Sequence, residues 1–164
     1  MKRRVLLLSM TAALGLSVCA CKFKRYNGPR VTRVIVFKGK RKMHLMHKGK
    51  ALRSYDIGLG FAPFHHKREE GDGRTPEGEY IIDRRNPNSK FHLSIGISYP
   101  NAQDAAKARA AGVSPGGEIF IHGRPSKYAK GGRDWTAGCI AVSNKEIERI
   151  YAMVENGTPI SIYP

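Results

Sequence analysis

Short β-rich runs cut by glycine turns fill most of the chain from Val31 onward, and few folds accept that rhythm. Val31 to Phe37 is the first such run. Gly39-Lys40 turns it into Lys42 to Lys48, and Gly49-Lys50 turns again into Ala51 to Leu59. Gly78 to Asp83 reads as a further strand. Phe91, Leu93, Ile95 and Ile97 then alternate with His92, Ser94, Gly96 and Ser98, the cleanest half-buried strand pattern present. Ile119 and Ile121 build a strand ending at His122, and Pro159 to Tyr163 is the last.

Helical signals interrupt this series in two places. Asn101 caps a helix through Ala111, with Gly112 as its stop. Ser143 with Glu146 forms a capping box ahead of Ile147, Ile150, Tyr151 and Val154 at helical spacing, closed by Asn156-Gly157. The expected architecture is therefore α+β, mostly β and sandwich-like, with two short helices. Gly60 to Pro76 is left as a long polar loop, and loops of that length in compact domains are usually functional or mobile.

The N-terminus sets the address. Met1-Lys2-Arg3-Arg4 is a charged segment followed by the apolar stretch Val5 to Val18, too short to span a bilayer comfortably and ending in small residues, as an export signal does. Leu16-Ser17-Val18-Cys19-Ala20-Cys21 resembles a bacterial lipobox, with Cys21 as the lipid-accepting first residue of the mature chain. Plain cleavage after Ala20 also fits the small-x-small pattern. The expected organisation is a signal over 1–20, a basic tether over 21–30 and one domain over 31–164, working in the periplasm or cell envelope. Attachment to the membrane would run through Cys21.

Export changes the meaning of the cysteines. Of the three in the chain, only Cys21 and Cys139 survive cleavage, and a lipidated Cys21 leaves Cys139 without a partner. An unpaired thiol in an oxidising compartment is reactive or a liability. Cys139 sits in Asp134-Trp135-Thr136-Ala137-Gly138-Cys139-Ile140, where a small-residue turn feeds a strand-like run. Seventeen residues upstream a second strand ends in His122-Gly123. A base at one strand end and an exposed thiol at the next are the parts of a cysteine nucleophile. The peptide N–H groups around Gly138-Cys139 would face the oxyanion. A backbone carbonyl near His122-Gly123 would orient the imidazole.

Ile121-His122-Gly123, followed after twelve intervening residues by Thr136-Ala137-Gly138-Cys139-Ile140, resembles the L,D-transpeptidase catalytic domain, the YkuD-type fold. The run Gly71-Asp72-Gly73-Arg74-Thr75-Pro76-Glu77-Gly78 resembles that family's Thr-Pro-x-Gly turn. The resemblance implies Cys139 as nucleophile, His122 as base, Gly123 as the carbonyl that orients it and Gly138 in the oxyanion hole. It implies peptidoglycan stem peptides as substrate, attacked at the carbonyl of the third, diamino residue with loss of D-alanine, and no metal or organic cofactor. The chain departs from the family at Ala137, where many members carry His, and at Ala141, where many carry Arg. Thr136, Trp135, Arg133 and Arg124 are the candidates for substrate contact in its place.

The formal net charge of +16 would suggest nucleic acid in a cytoplasmic protein. Export and the lack of an aromatic-rich basic motif argue against that partner. The basic residues of Lys22 to Arg33 and Lys38 to Lys50 read as a solvated face or as attraction to the wall or membrane. His44 and His47 lie an odd number of residues apart and so on opposite strand faces, which excludes a shared metal there. A monomer is expected. Two rival readings remain open: a hydrolase using the same acyl-enzyme, and a non-catalytic basic lipoprotein that binds the wall.

Overall fold

The computed structural model describes residues 24–128 and 132–164; the expected export signal over 1–20 and Cys21 lie outside the described residues. Eight strands form a continuous order β3-β2-β1-β8-β4-β5-β6-β7. They are β1 (Arg33–Phe37), β2 (Lys42–His47), β3 (Lys50–Asp56), β4 (Gly78–Asn86), β5 (Ser94–Ile97), β6 (Phe120–His122), β7 (Ile140–Ala141) and β8 (Pro159–Tyr163). The helices are α1 (Ala102–Ala110) and α2 (Asn144–Met153).

Strand β4 makes the arrangement sandwich-like. Its first half, from Gly78, pairs with β8; its second half, from Ile82, pairs with β5, with a register shift between Ile82 and Arg84. An extra residue at Asp83 bends the strand, which is how one strand passes from one sheet to another. β1 and β2 alternate as their sequence requires, burying Val34, Val36, Met43 and Leu45 completely. Ile147, Ile150 and Tyr151 of α2 close the core over β5 and β6.

Both caps form as expected. Asn101 Oδ1 accepts from Gln103 and Asp104 N–H, Ser143 accepts from Glu146 N–H, and both capping boxes are complete. Gly112 follows α1 at φ 69°. Helix α2 ends earlier than Asn156, because Val154 adopts extended backbone and is wholly buried.

Four expectations need correction. Strand β5 is buried along its length rather than half-buried and begins only at Ser94, because β4 and β6 flank it and side chains cover both faces. Strand β4 continues past Asp83 to Asn86, since the backbone of Arg84 and Arg85 pairs with Gly96 and Ile95. Strand β3 stops at Asp56, and the next residues pair with the cysteine segment instead.

The fourth correction is Lys38, which is 2% exposed and belongs to no solvated face. Its Nζ donates to His65 O at 2.5 Å, Thr75 O at 2.8 Å and Glu77 Oε1 at 2.7 Å, so all three ammonium protons are used. Burial pushes its pKa down, and Glu77 opposes that shift. This one ammonium ties the long loop, at His65 and near its end at Thr75, to the residue that follows β1. Lys38→Met is expected to cost about 3 kcal/mol, because it leaves a half-buried carboxylate and two carbonyls unpaired. Urea unfolding would measure it; an unchanged midpoint would remove Lys38 from the account of stability.

Candidate active site

Strands β6 and β7 are parallel, with Ile121 opposite Ile140 and His122 opposite Ala141. That register sets Cys139, the residue before β7, beside Phe120. The Phe120 N–H meets Cys139 Sγ at 3.4 Å, and the thiol lies 3.5 Å from Glu118 O. His122 follows Phe120 by two residues, so strand alternation sends both to one face. The two halves of the expected nucleophile are thus joined through one short parallel pairing.

The imidazole is held on all sides. His122 is 2% exposed, and its Nδ1 lies 2.7 Å from Gly123 O. A carbonyl can only accept, so Nδ1 carries the proton and Nε2 is left as the base. Phe91 stacks on the ring at 4.4 Å and Trp135 meets it edge-on at 5.7 Å. Gly123 N–H is fixed in turn by Phe91 O and Leu93 O, and a Cβ at Gly123 would sit 2.5 Å from Asn144 Oδ1. A side chain there would push the orienting carbonyl away.

The nucleophile turn is clamped by Thr136. Its hydroxyl donates to Cys139 O at 2.7 Å and accepts the Gly138 N–H at 3.2 Å. Thr136 is buried, so its hydroxyl serves the turn rather than facing outward. Gly138 has φ 132°, and a Cβ there would come within 2.7 Å of Arg74 O. Only glycine fits that conformation and that space. Arg74 lies in the run that resembles the Thr-Pro-x-Gly turn, so the two motifs meet at this point.

Burial acts on both titrating groups in the same sense. It pushes the Cys139 thiol up from the ordinary 9.0, aided by the Glu118 charge and opposed by the Phe120 hydrogen bond. It pulls His122 below the ordinary 6.5, opposed by the Gly123 carbonyl and aided by Arg124. The resting pair is therefore neutral thiol and neutral imidazole.

The remaining candidates have other engagements. Arg124 donates to Gly132 O and Arg133 O and lies over the Trp135 ring at 5.4 Å. Arg133 reaches Asp56 at 3.3 Å. Trp135 stacks on Tyr128 at 4.2 Å, and its Nε1 is buried with no acceptor among the described residues. His44 bonds Ser54 and His47 bonds Arg30 O. Among the described residues no three His, Cys, Asp or Glu side chains group as metal ligands do.

Several site residues carry no signal in the linear sequence. Gly58 and Gly60 pair with Ala141 and Thr136, which zips the start of the long loop to the cysteine segment. Asp134 binds Arg41 at 2.8 Å and accepts Leu59 N–H, anchoring that zip. Phe91, Asn144, Arg84 and Glu118 also approach the site only through tertiary packing. Asp134 alone had a clue, its place in the cysteine run.

Residues 31–162 match the YkuD family model, the L,D-transpeptidase catalytic domain. The chain is 32% identical over 120 residues to YafK of Escherichia coli (strain K12), a candidate L,D-transpeptidase, covering 67% of this chain and 41% of that protein. The structure resembles the helical cell shape determining protein Pgp2 from Campylobacter jejuni, with a TM-score of 0.63 and 27% identity over 84% of this chain and 48% of Pgp2. It shares its fold with an L,D-transpeptidase from Mycobacterium smegmatis at a TM-score of 0.56 and 14% identity, over 82% and 59% of the two chains. The chain thus spans less than half the length of its curated relative and about half that of Pgp2.

Proposed function

This chain belongs to the L,D-transpeptidase catalytic domain family, and on that premise we propose that it is an exported cysteine acyltransferase acting on peptidoglycan stem peptides. The observation that carries the reading is a buried histidine whose Nδ1 is committed to Gly123 O, on the strand that pairs with the segment leading out of Cys139, the free cysteine among the described residues. Cys139 Sγ attacks the carbonyl of the third, diamino residue while His122 Nε2 takes the thiol proton. The Cys139 peptide N–H is assigned to the oxyanion, with Gly138 shaping the turn, since the Gly138 N–H is already given to Thr136 Oγ1. Collapse breaks the amide, His122 returns the proton to the leaving D-alanine nitrogen, and a thioester remains on Cys139. An acceptor amine then attacks the thioester, its proton passes to His122, and a new amide forms as the thiol is restored.

The neutral resting pair supports proton transfer during attack rather than a stored thiolate. The indole N–H of Trp135, which has no acceptor among the described residues, supports a substrate contact beside the base. Arg124 and Arg133 are assigned to hold the loop around it. Lipidated Cys21 would keep this domain at the membrane while the wall is worked on.

The purified protein should release D-alanine from tetrapeptide-bearing peptidoglycan and form new amide cross-links. Added amine should raise amide product without raising free tripeptide. Tripeptide alone, across several acceptors, would replace transfer by hydrolysis and keep the nucleophile. No product of either kind would leave the wall-binding reading.

A further inference from the structure

Two phenylalanine rings stand out from the loop that is bonded to the nucleophile turn. Phe61 and Phe64 are 61% and 67% exposed, the most exposed large apolar side chains among the described residues. Single exposed apolar residues are ordinary, but two large rings three residues apart in a mostly polar loop mark a surface with a binding role. The other exposed apolar side chains, Ile81, Val113 and Tyr163, stand in three separate segments and make no such pair.

Neither ring hangs on a loose loop. Phe61 N–H donates to Thr136 O at 2.9 Å and Ala62 N–H to Gly73 O at 3.1 Å, while Pro63 fixes its own φ between the two rings. The Phe61 ring lies against Gly73, where a Cβ would collide with it. Arg41 comes within 5.8 Å of the Phe64 ring centre, and its guanidinium is held by Asp134 at 2.8 Å. Each ring is supported from one side and leaves the rest of its surface to solvent.

The cysteine segment sets where these rings stand. A Cβ on Gly60 would fall 2.9 Å from Gly138 Cα, so the residue before Phe61 lies against the nucleophile turn. In the proposed reaction the attacked carbonyl belongs to the third stem residue, and three extended residues reach roughly 10 Å. The sugar that carries the stem is therefore held within one short peptide of Cys139, the neighbourhood of the two rings. β-Linked amino sugars carry their bulky groups equatorially and turn C–H groups to their faces, and the negative face of a phenyl ring attracts such groups.

We infer that Phe61 and Phe64 form a stacking platform for the glycan strand that carries the stem peptide, with β-linked amino-sugar rings as the ligand. The platform deepens the acyl-transfer reading above and rests on it for its distance to Cys139. Because the loop is already ordered, binding covers the rings with little loss of conformational freedom. Stacking holds a part of the substrate that does not react, so it lowers KM and leaves kcat nearly unchanged.

The test compares two donors with the same tetrapeptide, one free and one carried on its disaccharide. Kinetics of the full protein are read as KM and kcat separately. In the wild type the disaccharide should lower KM roughly 5- to 20-fold, the scale of covering part of two phenyl rings. Phe61→Ala combined with Phe64→Ala should bring the two KM values together and keep kcat. Phe64→Trp should preserve the ratio, and Phe64→Leu should lose part of it, because leucine keeps apolar area without a flat face. A second measurement needs no turnover: immobilised glycan strands stripped of their peptides should retain the wild type and not the double variant. Equal KM values for both donors in the wild type would overturn the platform and leave acyl transfer standing. A double variant that keeps the wild-type ratio would overturn it too. Phe-dependent retention on vesicles of anionic phospholipid, with none on bare glycan, would assign the rings to a membrane surface and overturn the platform as well. No turnover of either donor, with Phe-dependent retention on bare glycan, would overturn the acyl-transfer reading and keep the platform; no turnover and no retention would overturn both.

Discussion

Cys139→Ala is expected to lose turnover on the order of 10⁵-fold while folding normally, since removing one member of a catalytic unit costs about as much as removing them all. The thiol contributes little to the core: it is partly exposed and makes two long contacts, 3.4 Å to Phe120 N–H and 3.5 Å to Glu118 O. Alanine keeps the backbone, and the Thr136 clamp does not depend on the side chain at 139. Thermal unfolding within a degree or two of wild type, together with no D-alanine release and no acyl adduct by mass spectrometry, is the expected pattern. An adduct formed elsewhere on the chain, with turnover retained, would remove Cys139 from its assigned role.

His122→Ala should fall nearly as far, by about 10³- to 10⁵-fold, and should alter the pH dependence as well. With a neutral resting pair, activity requires unprotonated His122. Burial holds that group below 6.5, so the acid limb of kcat/KM should lie below pH 6.5 in the wild type. The thiol is raised above 9.0, so direct alkylation by iodoacetamide in the His122→Ala protein should climb only on the alkaline side of that value. The stability sign follows from the same shift. The unfolded chain binds a proton at His122 near 6.5 and the folded chain only at lower pH. Stability should therefore fall as pH drops through that window. An acid limb above 6.5 would mean that burial does not hold His122 below its ordinary value.

How much of this was readable beforehand differs between elements and site. The caps at Asn101 and Ser143 were visible because a capping box is satisfied within four residues, whatever surrounds it. Strand β8 kept the Pro159 to Tyr163 bounds drawn from its apolar run. Strand β5 is buried on both faces although its sequence alternates, because alternation reports which side chains differ in polarity and not what covers the other face. The Arg84-Arg85-Asn86 end of β4 was missed because polar side chains hide backbone pairing that only a neighbouring strand creates.

The candidate site divides along the same line. His122, Gly123, Gly138 and Cys139 stand in two short motifs, because a thiol and its base each need a particular local backbone, and local backbone is written in adjacent residues. The rest depends on which strands become neighbours. Phe91 reaches His122 and Asp134 reaches Arg41 only after distant segments pair, through bonds that any residue's backbone can make. The sequence by itself determined the strand-and-turn rhythm, the helix caps and the two motifs that hold the candidate nucleophile and its candidate base. Tertiary structure alone decided the walls of the site and the ammonium of Lys38 inside the core, since those positions follow from register between segments and carry no periodic signal along the chain.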